Sequence, residues 1–281
     1  MTLRNFRESF FEALSPDYPE GEARSLFSIC TQTYLNMSRL EVALHPDKEL
    51  DTTQYQELCR VLGRLKRHEP IQYITGEAEF FGLSFAVDEH VLIPRPETEE
   101  LVSWVLEETS GRSQPKILDI GTGSGCIAIS LAKNLPNAEI WALDRSEDAL
   151  RIAKRNAARN AVEISFIHRD ILLSDDLGMK YDVIVSNPPY VRELEKKEMH
   201  PNVLDFEPPE ALYVPESDPL VFYRKITDLA GRALCPDGLL FFEINQYLSR
   251  ETSALLIAKN FRTCLRKDIF GADRLLKAVL K

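Results

Sequence analysis

Four consecutive residues carry the sharpest chemical signal in the chain: Asn187-Pro188-Pro189-Tyr190. They follow Val183-Ile184-Val185, an apolar run that reads as a strand, so they stand where a strand ends. The side-chain oxygen of Asn187 can accept one N–H and the backbone carbonyl of Pro188 a second. Two acceptors side by side fix a planar –NH2 group and favour charge developing on its nitrogen. Such help is needed because amide and aromatic-amine lone pairs are delocalised and attack poorly. Proline, with its fixed φ, holds the second carbonyl stiffly. The Tyr190 ring can pack on the target group and exclude water. A Pro-Pro pair alone would only stop a strand. Asn187, Pro188 and Tyr190 are therefore the catalytic candidates, with Pro189 beside them against the substrate.

A second motif supplies a place for the other reactant. The short apolar run Lys116 to Ile120 leads into Asp119-Ile120-Gly121-Thr122-Gly123-Ser124-Gly125. Glycines at alternate positions let a backbone turn tightly and approach a ligand with no Cβ in the way. The helix from Cys126 aims free N–H groups at the same place. A plain Gly-rich turn would look alike in isolation, but the spacing discriminates. The dinucleotide fingerprint has its third Gly where Cys126 stands. G-x-G-x-G after an acidic residue, Asp119, better suits S-adenosylmethionine, which has no pyrophosphate to cradle. Asp144 ends the second strand, where a carboxylate can accept from both ribose hydroxyls or cap the helix near Ser146. Asp170, with Ile171 next to it, follows the third strand, either near the adenine amino group or as a solvated loop acid. Attack on a sulfonium methyl strictly requires no general base, since the methylated nitrogen becomes acidic.

These residues need a frame that brings strand ends together. From Gln114 onward strands alternate with helices. Strands are predicted at Lys116–Ile120, Glu139–Leu143, Ile164–His168, Val183–Val185 and Leu239–Ile244, with two more at the end. The intervening helices are predicted at Cys126–Asn134, Ser146–Asn160 and Leu220–Leu234. This is an α/β pattern, a Rossmann-like, mostly parallel seven-stranded sheet with helices on both faces and ligands outside the carboxyl ends of its strands. A further helix follows Ile93-Pro94-Arg95-Pro96 and runs to about Thr109; Thr98 or a neighbour is the expected cap, and its first turn is acidic. Ahead of it, Glu79–Phe81 and Ser84–Val87 read as a hairpin around Gly82. The first seventy residues read as a small bundle of short helices, with Leu3, Phe6, Phe10 and Leu14 at helical spacing. The domain boundaries expected are 1–72 for the bundle, 73–93 for the hairpin linker and 94–281 for the catalytic domain.

Composition narrows the class. Of 281 residues 44% are hydrophobic and 28% charged, which argues against disorder. Thirty-four Lys and Arg against 44 Asp and Glu give −10, too acidic to grip a duplex by bulk charge. Five cysteines with no C-x-x-C suggest neither a disulfide framework nor a metal site. The start, Met1 to Phe11, has no long apolar core, and no apolar run approaches membrane-spanning length. A soluble protein of a reducing cytoplasm is the expectation.

At these motifs the chain resembles the HemK/PrmC family, the protein-(glutamine-N5) methyltransferases that modify class I peptide chain release factors. The resemblance covers nearly the whole chain. It includes Glu69-Pro70-Ile71-Gln72-Tyr73-Ile74-Thr75-Gly76, Phe80-Phe81-Gly82-Leu83, Leu92-Ile93-Pro94-Arg95-Pro96-Glu97-Thr98-Glu99 and Phe206-Glu207-Pro208-Pro209-Glu210-Ala211-Leu212, along with Gly271-Ala272-Asp273-Arg274. It implies methyl transfer from S-adenosylmethionine, giving S-adenosylhomocysteine, to the Gln of the Gly-Gly-Gln loop of a release factor. It implies a cofactor held around Gly121 to Gly125, Asp144 and Asn187, and a target Gln held by Asn187 to Tyr190. Arg95 to Thr98 would lie beside both, although an ion pair of purely structural use is the alternative for Arg95. No nucleic acid or membrane partner is implied, and the chain is expected to act as a monomer. One departure stands out: Asn245 occupies the place of the family's usual Gly and Leu248 that of its usual Gln. Asn tolerates a left-handed turn, so the backbone is expected to survive.

Two rivals share parts of this pattern. A nucleic-acid adenine-N6 or cytosine-N4 amino-methyltransferase uses the same tetrapeptide, but needs base flipping and a basic groove. Lys196-Lys197 is the only basic pair near the site, and Glu193, Glu195 and Glu198 surround it. A degenerate binding module would not need an intact Asn187.

Overall fold

The computed structural model describes all residues, 1–281, and divides into two compact units. The first comprises Met1–Gly76 together with His200–Phe206; the second comprises Glu77–Met199 and Glu207–Lys281.

The first unit is helical: α1 (Leu3–Leu14), α2 (Glu20–Leu35), α3 (Arg39–Leu44), α4 (Thr52–Leu65) and α5 (Ile71–Thr75). Leu3, Phe6, Phe10 and Leu14 are all buried, as the helical spacing predicts. Phe10 meets Phe27 of α2 edge-on at 5.3 Å. Capping boxes start α3 at Ser38 and α4 at Asp51, each satisfying otherwise orphaned backbone N–H groups. Ile71 and Ile74 are buried in this core, which is why the unit runs to Gly76 rather than stopping at residue 72.

The second unit opens with a hairpin, β1 (Glu77–Phe80) and β2 (Leu83–Ala86). Here the expectation for Phe81 is corrected: it lies in the turn, not in the strand. Phe81 and Gly82 have φ of 51° and 71°, the pair of positive values that a two-residue turn of the favoured hand requires. Phe80 and Phe85 are buried against α6 (Pro96–Thr109), so the hairpin is part of this core rather than a free linker.

The sheet strands are β3 (Lys116–Ile120), β4 (Glu139–Asp144), β5 (Ser165–His168), β6 (Tyr181–Ser186), β7 (Leu234–Glu243), β8 (Phe261–Lys267) and β9 (Asp273–Leu280). Their spatial order is β5-β4-β3-β6-β7-β9-β8. The first five are parallel; β9 is antiparallel to both β7 and β8. Helices α7 (Cys126–Asn134), α8 (Glu147–Arg159), α11 (Val221–Ala233) and α12 (Ser249–Ala258) connect strands. Two single turns lie between β6 and α11: α9 (Pro201–Leu204), which belongs to the first unit, and α10 (Pro209–Leu212). Two hydrophobic clusters, one on each face, sandwich the sheet. The order reverses between β3 and β6, and such a switch point opens a crevice at the carboxyl ends. Ile120 and Ser186 face each other there, and the Ser186 hydroxyl donates to the Ile120 carbonyl at 2.7 Å.

Candidate active site

The glycine loop and the tetrapeptide leave adjacent strands, β3 and β6, at this switch point. They line one cavity of about 770 Å³, within the roughly 300–1,000 Å³ usual for small-molecule sites. Gly121, Thr122, Gly123 and Ser124 form one wall, Asp144, Asp170 and Ile171 another, and Asn187, Pro188 and Pro189 a third. Arg95 and Thr98 at the start of α6, and Pro208–Ala211, complete it.

The loop wall is held by backbone. Gly121 and Thr122 both donate to the Leu143 carbonyl, at 2.8 and 3.0 Å. Gly121, Gly123 and Gly125 have φ of 76°, 54° and 84°, a region that favours glycine. A Cβ on Gly121 or Gly123 would meet nothing within 4 Å, so these two expose bare backbone beside the cavity. Gly125 does something else. It does not line the cavity; a Cβ there would come within 2.9 Å of Ile129 Cδ1 and 3.2 Å of Ala153 Cβ, so its lack of a side chain lets α7 pack on α8.

Asp144 lines the cavity, and it also braces the loop. One carboxylate oxygen accepts from Gly123 N and the other from Ser146 N, both at 2.9 Å. The cap of α8 is the Ser146 side chain, not Asp144. Each Asp144 oxygen has a further lone pair for a hydroxyl donor. Asp170 likewise holds its own turn, accepting from Leu172 N at 2.8 Å. Asp119 departs from expectation. It is fully buried beneath the loop rather than on the cavity wall, and accepts the Thr122 hydroxyl at 2.7 Å. Burial pushes its carboxyl up to about 7, against the pull of Thr122. It positions the loop from below.

The Asn187 wall is held by side chains. Asn187 Nδ2 donates to Thr98 Oγ1 at 3.2 Å. The Thr98 hydroxyl donates to Glu243 Oε2 at 2.6 Å, and the Tyr190 hydroxyl donates to Glu243 Oε1 at 2.8 Å. Glu243 ends β7 and is buried; burial raises its carboxyl, while the two hydroxyls and the Arg274 guanidinium pull it back. Tyr190 is thus anchored from below, and the cavity wall stops at Pro189. Thr98, expected as a possible helix cap, lies inside α6, where Arg95 is the N-cap and Pro96 the first residue.

Arg95 both lines the cavity and pairs with buried Glu207, so its two readings coexist. Glu207 also accepts from Ile93 N at 3.2 Å, strapping residues 93–95 in place. The resemblance places Thr98 beside cofactor and target, and Thr98 lines the cavity; sequence reasoning gives no role to its hydroxyl, or to Glu243, Glu207 or Asn156. Buried Asn156 on α8 clips Ala86 N and O, at 2.7 and 3.0 Å, and donates to the Ser124 carbonyl at 2.9 Å. A polar residue on the buried side of an amphipathic helix was the available signal. The Asn245 expectation is corrected: its φ is −66°, not left-handed. Its Nδ2 donates to the Tyr190 carbonyl at 2.9 Å and to the Glu195 carboxylate at 2.9 and 3.0 Å, work a glycine could not do.

The residues present suit S-adenosylmethionine: a bare glycine backbone, a carboxylate at the end of β4 with spare lone pairs, and a mainly apolar pocket beyond it containing Ile171, Phe222 and Ile226. Comparison with known proteins agrees. Residues 3–76 match the PrmC N-terminal domain, and residues 98–205 match the Methyltransferase small domain. The chain is 53% identical to the release factor glutamine methyltransferase of Flavobacterium psychrophilum, over 99% of each chain. It is 45% identical to that of Bacteroides thetaiotaomicron, over 95% of this chain and 96% of the other. In fold it is similar to a methyltransferase from Pyrococcus furiosus, with a TM-score of 0.52 at 17% identity, over 82% of this chain and 98% of the other. Two domain matches in sequence order, and an identity above one half along the whole chain, show that this protein belongs to the release factor glutamine methyltransferase family.

Proposed function

We propose that this protein transfers the methyl group of S-adenosylmethionine to the side-chain amide nitrogen of the Gln in the Gly-Gly-Gln loop of class I peptide chain release factors. The observation that carries the reading is that Asn187 and the bare glycine loop line the same cavity. When bound, the cofactor supplies an electrophilic methyl on a sulfonium. Gly121 to Ser124, Asp144, Asp170 and Ile171 would hold it. Asn187 Oδ1 accepts one N–H of the target amide and the Pro188 carbonyl the other. That pair aims the nitrogen lone pair and stabilises the charge it acquires as the N–C bond forms. The methylated nitrogen then loses its proton to water. Tyr190, fixed through its hydroxyl, stiffens the wall beyond Pro189. One loop Gln offers little area for recognition, so the helical unit is read as a second grip on the release factor.

Methyl transfer from labelled S-adenosylmethionine tests this. Acceptors are a purified release factor, the same factor with its loop Gln changed, and unmethylated DNA. Label on the unchanged factor alone is expected. Label on DNA would overturn the substrate, and label on nothing would overturn the activity.

A further inference from the structure

Asn187 must present its oxygen, not its –NH2, to the target amide. Its only side-chain hydrogen bond in the structure is the one Nδ2 donates to Thr98. An amide can rotate by half a turn at little steric cost, so something has to choose the orientation. Thr98 Oγ1 has one hydrogen, and a carboxylate has none to give. With the Thr98 hydrogen spent on Glu243 Oε2, Oγ1 faces Asn187 as an acceptor only. The other oxygen, Oε1, is fixed by Tyr190. Thr98 and Glu243 are both about 2% exposed, so water does not compete for these bonds.

We propose that Glu243, acting through the Thr98 hydroxyl, is a positioning residue that sets the polarity of the Asn187 amide and so keeps Oδ1 facing the target nitrogen. This rests on the methyl-transfer reading above. Neither residue touches the reacting atoms in this role. The relay runs from the end of β7 through the first turn of α6 to the end of β6, and it reads in one direction because its origin is an acceptor.

Its direction gives it a signature that mere packing lacks. In Glu243→Gln the shape is nearly kept, and Oε1 still accepts from Tyr190. The new –NH2 donates to Thr98, whose hydroxyl is then free to donate toward Asn187. The amide turns over and presents –NH2 to the target. Methyl transfer is expected to fall by about a hundredfold, comparable to losing one transition-state hydrogen-bond partner. In Thr98→Val the relay is cut rather than reversed, and an incoming N–H can still select the oxygen. A loss of about tenfold or less is expected. Thr98→Ser keeps the hydroxyl and should stay within about twofold of the parent. The decisive variant combines Glu243→Gln with Thr98→Val. With no hydroxyl to carry the reversal, the double variant should be more active than Glu243→Gln alone.

The experiment is single-turnover methylation of a release factor by the parent and these four variants, with S-adenosylmethionine affinity measured by calorimetry. Recovery in the double variant at unchanged cofactor affinity supports the relay. A double variant as poor as or poorer than Glu243→Gln overturns it, as does Thr98→Ser behaving like Thr98→Val. If Glu243→Gln does not fold, the comparison of Ser with Val at position 98 decides alone. A parent protein that methylates nothing overturns the underlying reading, whereas an active parent with additive variants overturns only the relay.

Discussion

The two walls of the cavity are built by different means. The loop wall is main chain: glycines with positive φ, N–H groups tied to the Leu143 carbonyl, and a carboxylate, Asp144, closing on Gly123. The Asn187 wall is a side-chain network gathered from three elements, with bonds spanning 89 residues from Thr98 to Asn187 and 145 from Thr98 to Glu243. A backbone wall tolerates sequence change wherever the path of the chain is kept. A side-chain wall depends on each hydroxyl and carboxylate in it. The loop wall suits a ligand that needs close approach, and the Asn187 wall suits a step that needs a set direction.

The largest effect sharpens this contrast through a buried carboxyl under the loop. Asp119 has its carboxyl raised by burial to about 7. In the unfolded chain it titrates near 3.9. Between those values the folded state binds the additional proton, so stability falls as pH rises through the window and is fully present only below it. At roughly 1.4 kcal/mol per pH unit the group alone removes on the order of 4 kcal/mol. Asp119→Asn keeps an oxygen for Thr122 and should lack that slope. Denaturant unfolding of parent and variant across pH 4 to 8 checks it. Parallel curves would mean that the Asp119 carboxyl is not shielded from water beneath the loop.

The next test separates the walls by kinetics. Asn187→Ala should lower turnover by about a hundredfold with cofactor affinity intact, because the lost contact acts on the transition state. Asp144→Ala should do the opposite, weakening S-adenosylmethionine by about tenfold with turnover at saturation nearly kept. Calorimetry and single-turnover rates distinguish them. Exchanged signatures would mean that the division into a binding wall and an orienting wall is wrong.

The same contrast decides what could be read from the sequence. The glycine loop was readable because backbone geometry is written locally: three glycines, a strand before and a helix after. The tetrapeptide was readable because its four residues are contiguous. Leu3, Phe6, Phe10 and Leu14 were readable because helical period maps directly onto burial. For Thr98 the local pattern offers a cap and the resemblance a place beside cofactor and target, but neither offers a partner for its hydroxyl. Its real partner, Glu243, lies across the sheet on β7, and only the order of strands brings the two together. Glu207 under Arg95 and Asn156 between Ala86 and Ser124 went unassigned for the same reason. Asp119 stands beside the glycines in the chain, but its acidity suggests ligand contact where burial turns it inward.

Asn245 gives the smallest and most particular test, because it extends the side-chain wall into the turn after the tetrapeptide. At φ −66° its backbone does not need glycine. Its side chain instead ties the Tyr190 carbonyl to the Glu195 carboxylate, and its oxygen accepts from Tyr247 N at 2.9 Å. Glu195 is in turn paired with Arg192, so this amide joins the turn after the tetrapeptide to the end of β7. Asn245→Gly removes those bonds, leaves Glu195 with Arg192, and adds freedom to the unfolded chain. A loss of about 1–2 kcal/mol in stability is expected. Turnover should drop only about threefold, because Tyr190 keeps its own anchor on Glu243 and the relay to Asn187 does not pass through Asn245. Thermal unfolding with single-turnover rates reads both numbers. A hundredfold loss of turnover would place Asn245 in the orienting network itself, and the boundary of that wall would then have to be drawn beyond Tyr190.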